Sequence, residues 1–253
     1  LMLRHAVAHD HWMVNLVTSG EDRKTVQPLA DALMRRYPQV VSVVNNISDL
    51  RAAIAVGERE IVLAGEPVLH EAIEGLQFNV SANSFFQTNT RGTAALYGVV
   101  ERMADLQGTE QVLDLYSGTG AISIYLAARA KSVVGFEWTA AAVADAEINC
   151  RLNGLTNCRF VEGDVLKRLP AWDRPVDVMI IDPPRVGMHP KVLKQVIDLA
   201  PGRIVYVSCN PATLARDLLA LKTCYQVAEV QPVDLFPHTW HIEAVARMER
   251  INP

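Results

Sequence analysis

Several things are missing from this 253-residue chain, and each absence removes a class of protein. No apolar run reaches the roughly 20 residues that a membrane-spanning helix needs, and the start lacks the basic-then-apolar profile of a signal peptide. The four cysteines, Cys150, Cys158, Cys209 and Cys224, make neither a C-x-x-C pair nor the spacing of a zinc or iron–sulfur site. They read as reduced thiols, so no bound metal, no membrane association and a cytoplasmic setting are expected. His5, His9 and His11 near the start are read as solvated histidines rather than metal ligands. The formal charge of −4 excludes a globally basic nucleic-acid binder and leaves room for a basic patch on one face. No internal repeat is present. The first residue is Leu1 rather than Met, so the chain is expected to be a portion of a longer protein.

What is there is the composition of a globular protein, 50% hydrophobic and 21% charged, which suffices for a substantial core. The length allows one large domain and a smaller partner. Residues 1–76 alternate strand-like and helix-like stretches: His11 to Val17 and Val40 to Val44 are β-branched enough to be strands, and Leu29, Ala32, Leu33 and Met34 give Val26 to Tyr37 helical spacing. A boundary is expected near Glu74-Gly75-Leu76, with a second domain over 77–253 that opens on Phe78 to Gln87 and a helix from Thr90 to Leu106.

From Gln111 the pattern is regular. Strands at Gln111–Tyr116, Ser132–Glu137, Arg159–Glu162, Asp177–Ile181 and Arg203–Ser208 alternate with helices at Ala121–Ala130, Ala140–Asn153, Pro190–Leu199 and Ala212–Leu221. Two last strands lie near Gln226–Val230 and His241–Met248. Such alternation predicts an α/β, doubly wound, mostly parallel seven-stranded sheet of Rossmann-like type, preceded by a smaller α/β subdomain.

Ligands of such sheets bind at the carboxyl ends of the strands. Asp114 to Gly120 joins the first strand to its helix, and Gly118 and Gly120 let the backbone approach a ligand closely. The dinucleotide pattern wants a third glycine where Ser123 stands. Three acids close the next three strands instead. Glu137 is placed to accept two ribose hydroxyls, Asp164 to meet an adenine amino group, and Asp182 stands in Asp182-Pro183-Pro184-Arg185. Any one of them is as easily a surface acid. Together with the Gly-x-Gly turn they favour a nucleoside joined to an amino acid, such as S-adenosyl-L-methionine.

The strand Arg203 to Ser208 runs out at Cys209 and is stopped by Asn210-Pro211. Locally this favours a buried filler thiol over a nucleophile.

At this point the chain resembles the S-adenosylmethionine-dependent RNA (uracil-5)-methyltransferases, on three motifs in order: Asp182-Pro183-Pro184-Arg185-Val186-Gly187, Val207-Ser208-Cys209-Asn210-Pro211, and Val233 to Glu243. The resemblance covers Phe78 to the end, and residues 1–76 are similar to the family's central domain. It implies Cys209 as nucleophile, Glu243 as base, and donor contacts at Gln87, Tyr116, Glu137, Asp164 and Asp182. At Ala121 several members carry a polar residue that touches the donor. The family's N-terminal RNA-binding barrel and iron–sulfur cluster are not in this stretch, which resembles a catalytic portion.

The implied chemistry explains these residue types. C5 of uracil is a poor nucleophile until a thiolate adds at C6, and a base must later take the C5 proton so that the thiolate can leave. Arg185 and Arg216 suit phosphate or uracil carbonyls, with a structural ion pair the better account of Arg216. Phe236, His238 and Trp240 suit stacking on an extruded base. A monomer acting on 23S ribosomal RNA is expected, with transfer RNA the alternative substrate. The rivals are an amine methyltransferase, disfavoured by Arg185 where an aromatic residue is usual, and a non-catalytic RNA-binding module.

Overall fold

The computed structural model describes residues 1–49, 57 and 59–251. The chain divides into two compact units, Leu1–Thr90 and Arg91–Pro253.

In the first unit, strands β1 (Met2–Ala6), β2 (His11–Thr18), β3 (Val40–Ile47) and β4 (Arg59–Gly65) form one sheet in sequence order. β2 and β3 are parallel and joined through helix α1 (Arg23–Arg36); the other pairs are antiparallel. The Asp22 side chain accepts from Thr25 N at 3.2 Å, so α1 starts one turn before its apolar spacing does. Val26 and Ala30 of α1 bury against Val14, Val40, Val43 and Leu63 of the sheet.

A separate hairpin pairs β5 (Leu69–Ile73) with β6 (Leu76–Val80). Its two-residue turn, Glu74 (φ 49°) and Gly75 (φ 91°), has both residues left-handed, the turn whose twist matches that of paired strands. The expected division after residue 76 therefore falls inside this hairpin, and the compact units part further along, after Thr90. Glu71 ties the hairpin into its unit by accepting from Val7 N, Ala8 N and the Thr90 hydroxyl.

Helix α2 (Thr90–Ala104) leads into the second unit. There β7 (Gln111–Leu115), α3 (Ala121–Ala127), β8 (Ser132–Glu137), α4 (Ala140–Leu152), β9 (Cys158–Glu162), α5 (Val165–Arg168), β10 (Val178–Ile181), α6 (Pro190–Leu199), β11 (Arg203–Ser208), α7 (Pro211–Leu221), β12 (Tyr225–Val233) and β13 (Glu243–Arg250) follow in turn. The sheet order is β12-β13-β11-β10-β7-β8-β9, parallel from β11 to β9 and antiparallel at β13 and β12. The expected doubly wound, seven-stranded architecture is therefore the one the chain adopts.

Alternate residues of each strand point to opposite faces. One face carries Leu113, Leu115, Phe136, Met179, Ile181, Ile204, Tyr206, Ala244, Ala246 and Met248, all in one apolar core with α6 and α7. The other face carries Asp114, Gly135, Ile180 and Val205 in register, with Val207 opposite Val245 two residues on. No helix among the described residues is long and apolar enough to cross a membrane.

Candidate active site

The register brings the candidate residues together. β11 and β13 pair in antiparallel fashion with Val207 opposite Val245 and Ser208 opposite Ala244. Cys209 follows Ser208 and Glu243 precedes Ala244, so the two flank the last pair of this ladder, and alternation puts Glu243 on the face of Val245. That face is the one opposite the Ala244–Ala246–Met248 core, which settles the orientation of Glu243 that its neighbours Ile242 and Ala244 left open. Asp182, one step beyond Ile181 on β10, has the parity of Ile180 and Asp114, and Glu137 has that of Gly135. Glu137 and Glu243 thus share a face at one edge of the sheet, and Asp182 and Cys209 directly follow β10 and β11 at that edge.

The electrostatics agree with the register. Burial pushes the half-buried Cys209 thiol up, and the Glu243 and Asp182 charges push it further, while Arg185 pulls it back. Glu243 is buried, and its carboxyl is raised for that reason. Asp182 is pushed up to about 8 by burial and then by Glu243 and Asp114.

Asp114 lies in the middle of the apolar strand β7, and sequence reasoning passed over it as a site residue. It is buried and raised to about 7, first by desolvation and then by the charge of Glu137, with a 2.6 Å hydrogen bond from the Ser123 hydroxyl in opposition. Its Oδ1 is buried without a partner among the described residues. A lone carboxylate inside a run of aliphatics was the available signal. Tyr97 of α2 was likewise missed: it is buried, stacks edge-on against Tyr125, and feels the Asp182 and Asp114 charges.

The glycine turn after β7 is tightly built. Tyr116 takes φ 66°, a left-handed conformation that costs a non-glycine residue about 1–3 kcal/mol. Gly118 and Gly120 are also left-handed, and a Cβ on Gly120 would meet the Phe160 ring at 2.5 Å. Glu137 reaches this turn: its Oε2 accepts from Gly118 N at 3.1 Å and its Oε1 from Thr139 N at 2.8 Å. Asp164 accepts from Leu166 N at 2.9 Å and so caps α5, a structural duty its position after β9 did not reveal. The Tyr116 hydroxyl is pushed up to about 12 by burial and by the Asp164 and Asp217 charges.

The loop after β10 is hung on Asp217. That buried carboxylate accepts from the Tyr206 hydroxyl at 2.7 Å, Met188 N at 2.8 Å and Arg216 Nε at 2.9 Å. Arg216 also donates to the Val186 and Met188 carbonyls, so it is the structural ion pair expected. Arg185 is exposed, with its guanidinium 5.3 Å from the Trp240 ring centroid. Phe236 is half-buried with its ring edge-on to His241, and His238 is exposed at φ 71° in the same turn. Gln87 belongs to the first unit and is half-buried between β6 and α2.

Of the early histidines, His5 pairs with Asp10 at 2.8 Å and stacks on Trp12. Among the described residues no group of three or more His, Cys, Asp or Glu is placed to hold a metal ion.

A family model described as tRNA (uracil-5-)-methyltransferase matches residues 58–251. The chain belongs to that family. An uncharacterized RNA methyltransferase of Chlorobaculum tepidum is 43% identical over 99% of this chain and 53% of its own length. Another, from Halalkalibacterium halodurans, is 42% identical over 99% of the chain and 57% of its own. This uracil-5 family member thus spans about half the length of the curated relatives it matches. Among solved structures, the Pyrococcus abyssi tRNA (uracil-54, C5)-methyltransferase in complex with S-adenosyl-L-homocysteine superposes with a TM-score of 0.79 at 32% identity, over 97% of this chain and 58% of that one. A putative methyltransferase of Streptococcus mutans, at 15% identity and TM-score 0.62, shares the fold.

Proposed function

We propose that this chain carries the catalytic centre of an enzyme that methylates C5 of a uridine in RNA through a covalent adduct of Cys209. The observation that carries this is that Cys209 and Glu243 flank the last pair of the β11–β13 ladder, at the sheet edge where Asp182 and Glu137 also stand, and that the Glu243 and Asp182 charges act on the thiol. A buried filler cysteine has no need of a carboxylate facing it in a desolvated pocket, where each disfavours the charge of the other.

The donor set suits S-adenosyl-L-methionine. Glu137 is held by two backbone N–H groups, and each of its oxygens keeps acceptor capacity for a ribose hydroxyl. The space where a Gly118 side chain would stand is open. Tyr116, Gly118, Gly120, Glu137, Asp164 and Asp182 would hold the donor. When bound, the donor supplies an electrophilic methyl group, which C5 of the ring receives.

The residues of the chain carry the other steps. Cys209 Sγ adds to C6, and the electron pair of the C5–C6 bond moves toward the C4 carbonyl. Glu243, as carboxylate, then takes the proton from methylated C5, the C5–C6 double bond reforms and Sγ departs. A carboxyl raised by burial is a stronger base than an ordinary one, which suits that duty. Arg185 would stabilise the developing negative charge, and Phe236 and His238 would stack on the extruded base.

We place the enzyme in the cytoplasm, where the free thiols of all four cysteines would stay reduced. We favour 23S ribosomal RNA as substrate. The likeness to the Pyrococcus abyssi enzyme supports a second reading, a transfer RNA uridine. Mapping 5-methyluridine in cellular RNA with and without the gene separates the two, since the mark that disappears names the substrate. The reaction itself is tested with RNA carrying 5-fluorouridine, whose fluorine cannot leave as a proton. The wild type is expected to form a denaturant-resistant RNA–protein adduct and Cys209→Ala none. Methylation surviving in Cys209→Ala would end this assignment.

A further inference from the structure

We propose that Trp240 is a positioning residue, its indole holding the Arg185 guanidinium against Cys209 so that the thiol can ionise; this rests on Cys209 being the nucleophile.

The charged groups around Cys209 are Glu243 from β13, Asp182 from the end of β10 and Arg185 from the loop after it. Two of the three oppose a thiolate. Among the described residues Arg185 is the cation whose field favours it, so the place of that one guanidinium decides how readily Cys209 becomes reactive.

The backbone of Arg185 is fixed. Its carbonyl accepts from Asn210 Nδ2 at 3.2 Å and Thr213 Oγ1 at 3.3 Å, both just past Cys209 in the chain. The guanidinium pairs with no carboxylate among the described residues. An arginine on an exposed loop samples many rotamers unless something holds its end.

What holds it is the Trp240 ring, 5.3 Å from Arg185 Cζ, within reach of a cation–π contact. Trp240 is 80% exposed, so the core does not fix it. It is fixed from the side instead: the His241 ring stacks on it at 4.3 Å and 26°, and His241 in turn meets the edge of Phe236. The turn beneath is closed by Thr239, whose hydroxyl donates to the Phe236 carbonyl at 2.7 Å and accepts from His241 N at 3.2 Å. Phe236, His241 and Trp240 therefore form a row of rings that ends on Arg185. The row also joins the segment leading into Glu243 to the loop that follows Asp182.

The test uses the chain alone, without RNA or donor. Iodoacetamide is applied from about pH 6 to pH 10, and alkylation of Cys209 is followed by mass spectrometry of its peptide, which separates it from the other thiols. Trp240→Ala is expected to slow Cys209 alkylation about 3–10-fold near pH 8 and to move the profile to higher pH, with Trp240→Phe restoring most of the rate. Arg185→Gln should give a similar displacement, and the double variant little more than either, because both changes remove one contact. A Trp240→Ala profile that coincides with the wild type overturns the proposal, even if its KM for RNA rises, since that would make the indole an RNA contact only. Full additivity of the two variants overturns it as well. Methylation by Cys209→Ala would instead remove the proposed reaction and leave the alkylation profile, which needs no RNA, unchanged.

Discussion

The two ends of the candidate site are built in opposite ways. At the β8 end, Glu137 has both oxygens met by backbone N–H groups and sits over a turn whose left-handed residues are held by close packing. At the β10–β13 end, Asp182 and Glu243 have no hydrogen bond to their side chains among the described residues, face one another and Cys209, and are raised by burial. The first end is a satisfied cradle. The second withholds partners from its acids, which raises both carboxyls at a cost in stability. The two ends thus differ in how their carboxylates are hydrogen-bonded, not in residue type.

Three substitutions bear on that contrast. Glu243→Gln should cut turnover by about 10²–10⁴-fold, and the covalent RNA adduct should accumulate on denaturing gels, because addition needs no base at C5 but elimination does. Undiminished turnover would place the base elsewhere and merge the two ends. Glu137→Ala should weaken donor binding by about 10–100-fold in calorimetry, with little change in turnover at saturating donor, as expected for a lost charged acceptor. An effect on turnover alone would mean that the cradle takes part in the chemistry.

Asp182→Asn should raise the melting temperature by roughly 3–6 °C near pH 8 and by less near pH 5. The sign follows from the raised pKa. Between the ordinary carboxylate range and about 8 the folded chain retains a proton that the unfolded chain releases, so stability falls as pH rises through that window. The amide removes the penalty, which is present above the window and fades toward its acid end. The same substitution at a satisfied acid such as Glu137 should give no such gain.

How much of this was legible in the sequence depended on local pattern. The parallel strands of the second unit lie within a residue of their expected ends, because Val112-Leu113, Val178 to Ile181 and Ile204 to Val207 are unbroken aliphatic or aromatic runs between clear turns, whereas β12 runs three residues past its expected end. β1 and β4 escaped notice because Leu3-Arg4-His5 and Arg59-Glu60-Ile61 mix charge into short edge strands. The hairpin of β5 and β6 was mistaken for a boundary because Glu74-Gly75 reads equally as a loop. Asp182, Cys209 and Glu243 were recognisable one motif at a time, but only the β11–β13 register brings Cys209 and Glu243 to the same end of one ladder. Asp114 and Tyr97 were missed because their surroundings are apolar, and burial of a polar group shows only when the elements are packed.

The loop of Pro183 to Met188 has a consequence for how this protein can change over time. Its backbone is suspended from Asp217, Arg216, Asn210 and Thr213, with Gly187 turned left-handed where a side chain would strike Arg216 and Asp217. None of those supports uses the side chain of Arg185 or of Val186, and both residues are exposed. The loop is a socket with one free pin. A new side chain at 186 can be tried while Arg185 and the loop backbone keep their places, so this edge of the sheet can vary in what it presents without refolding.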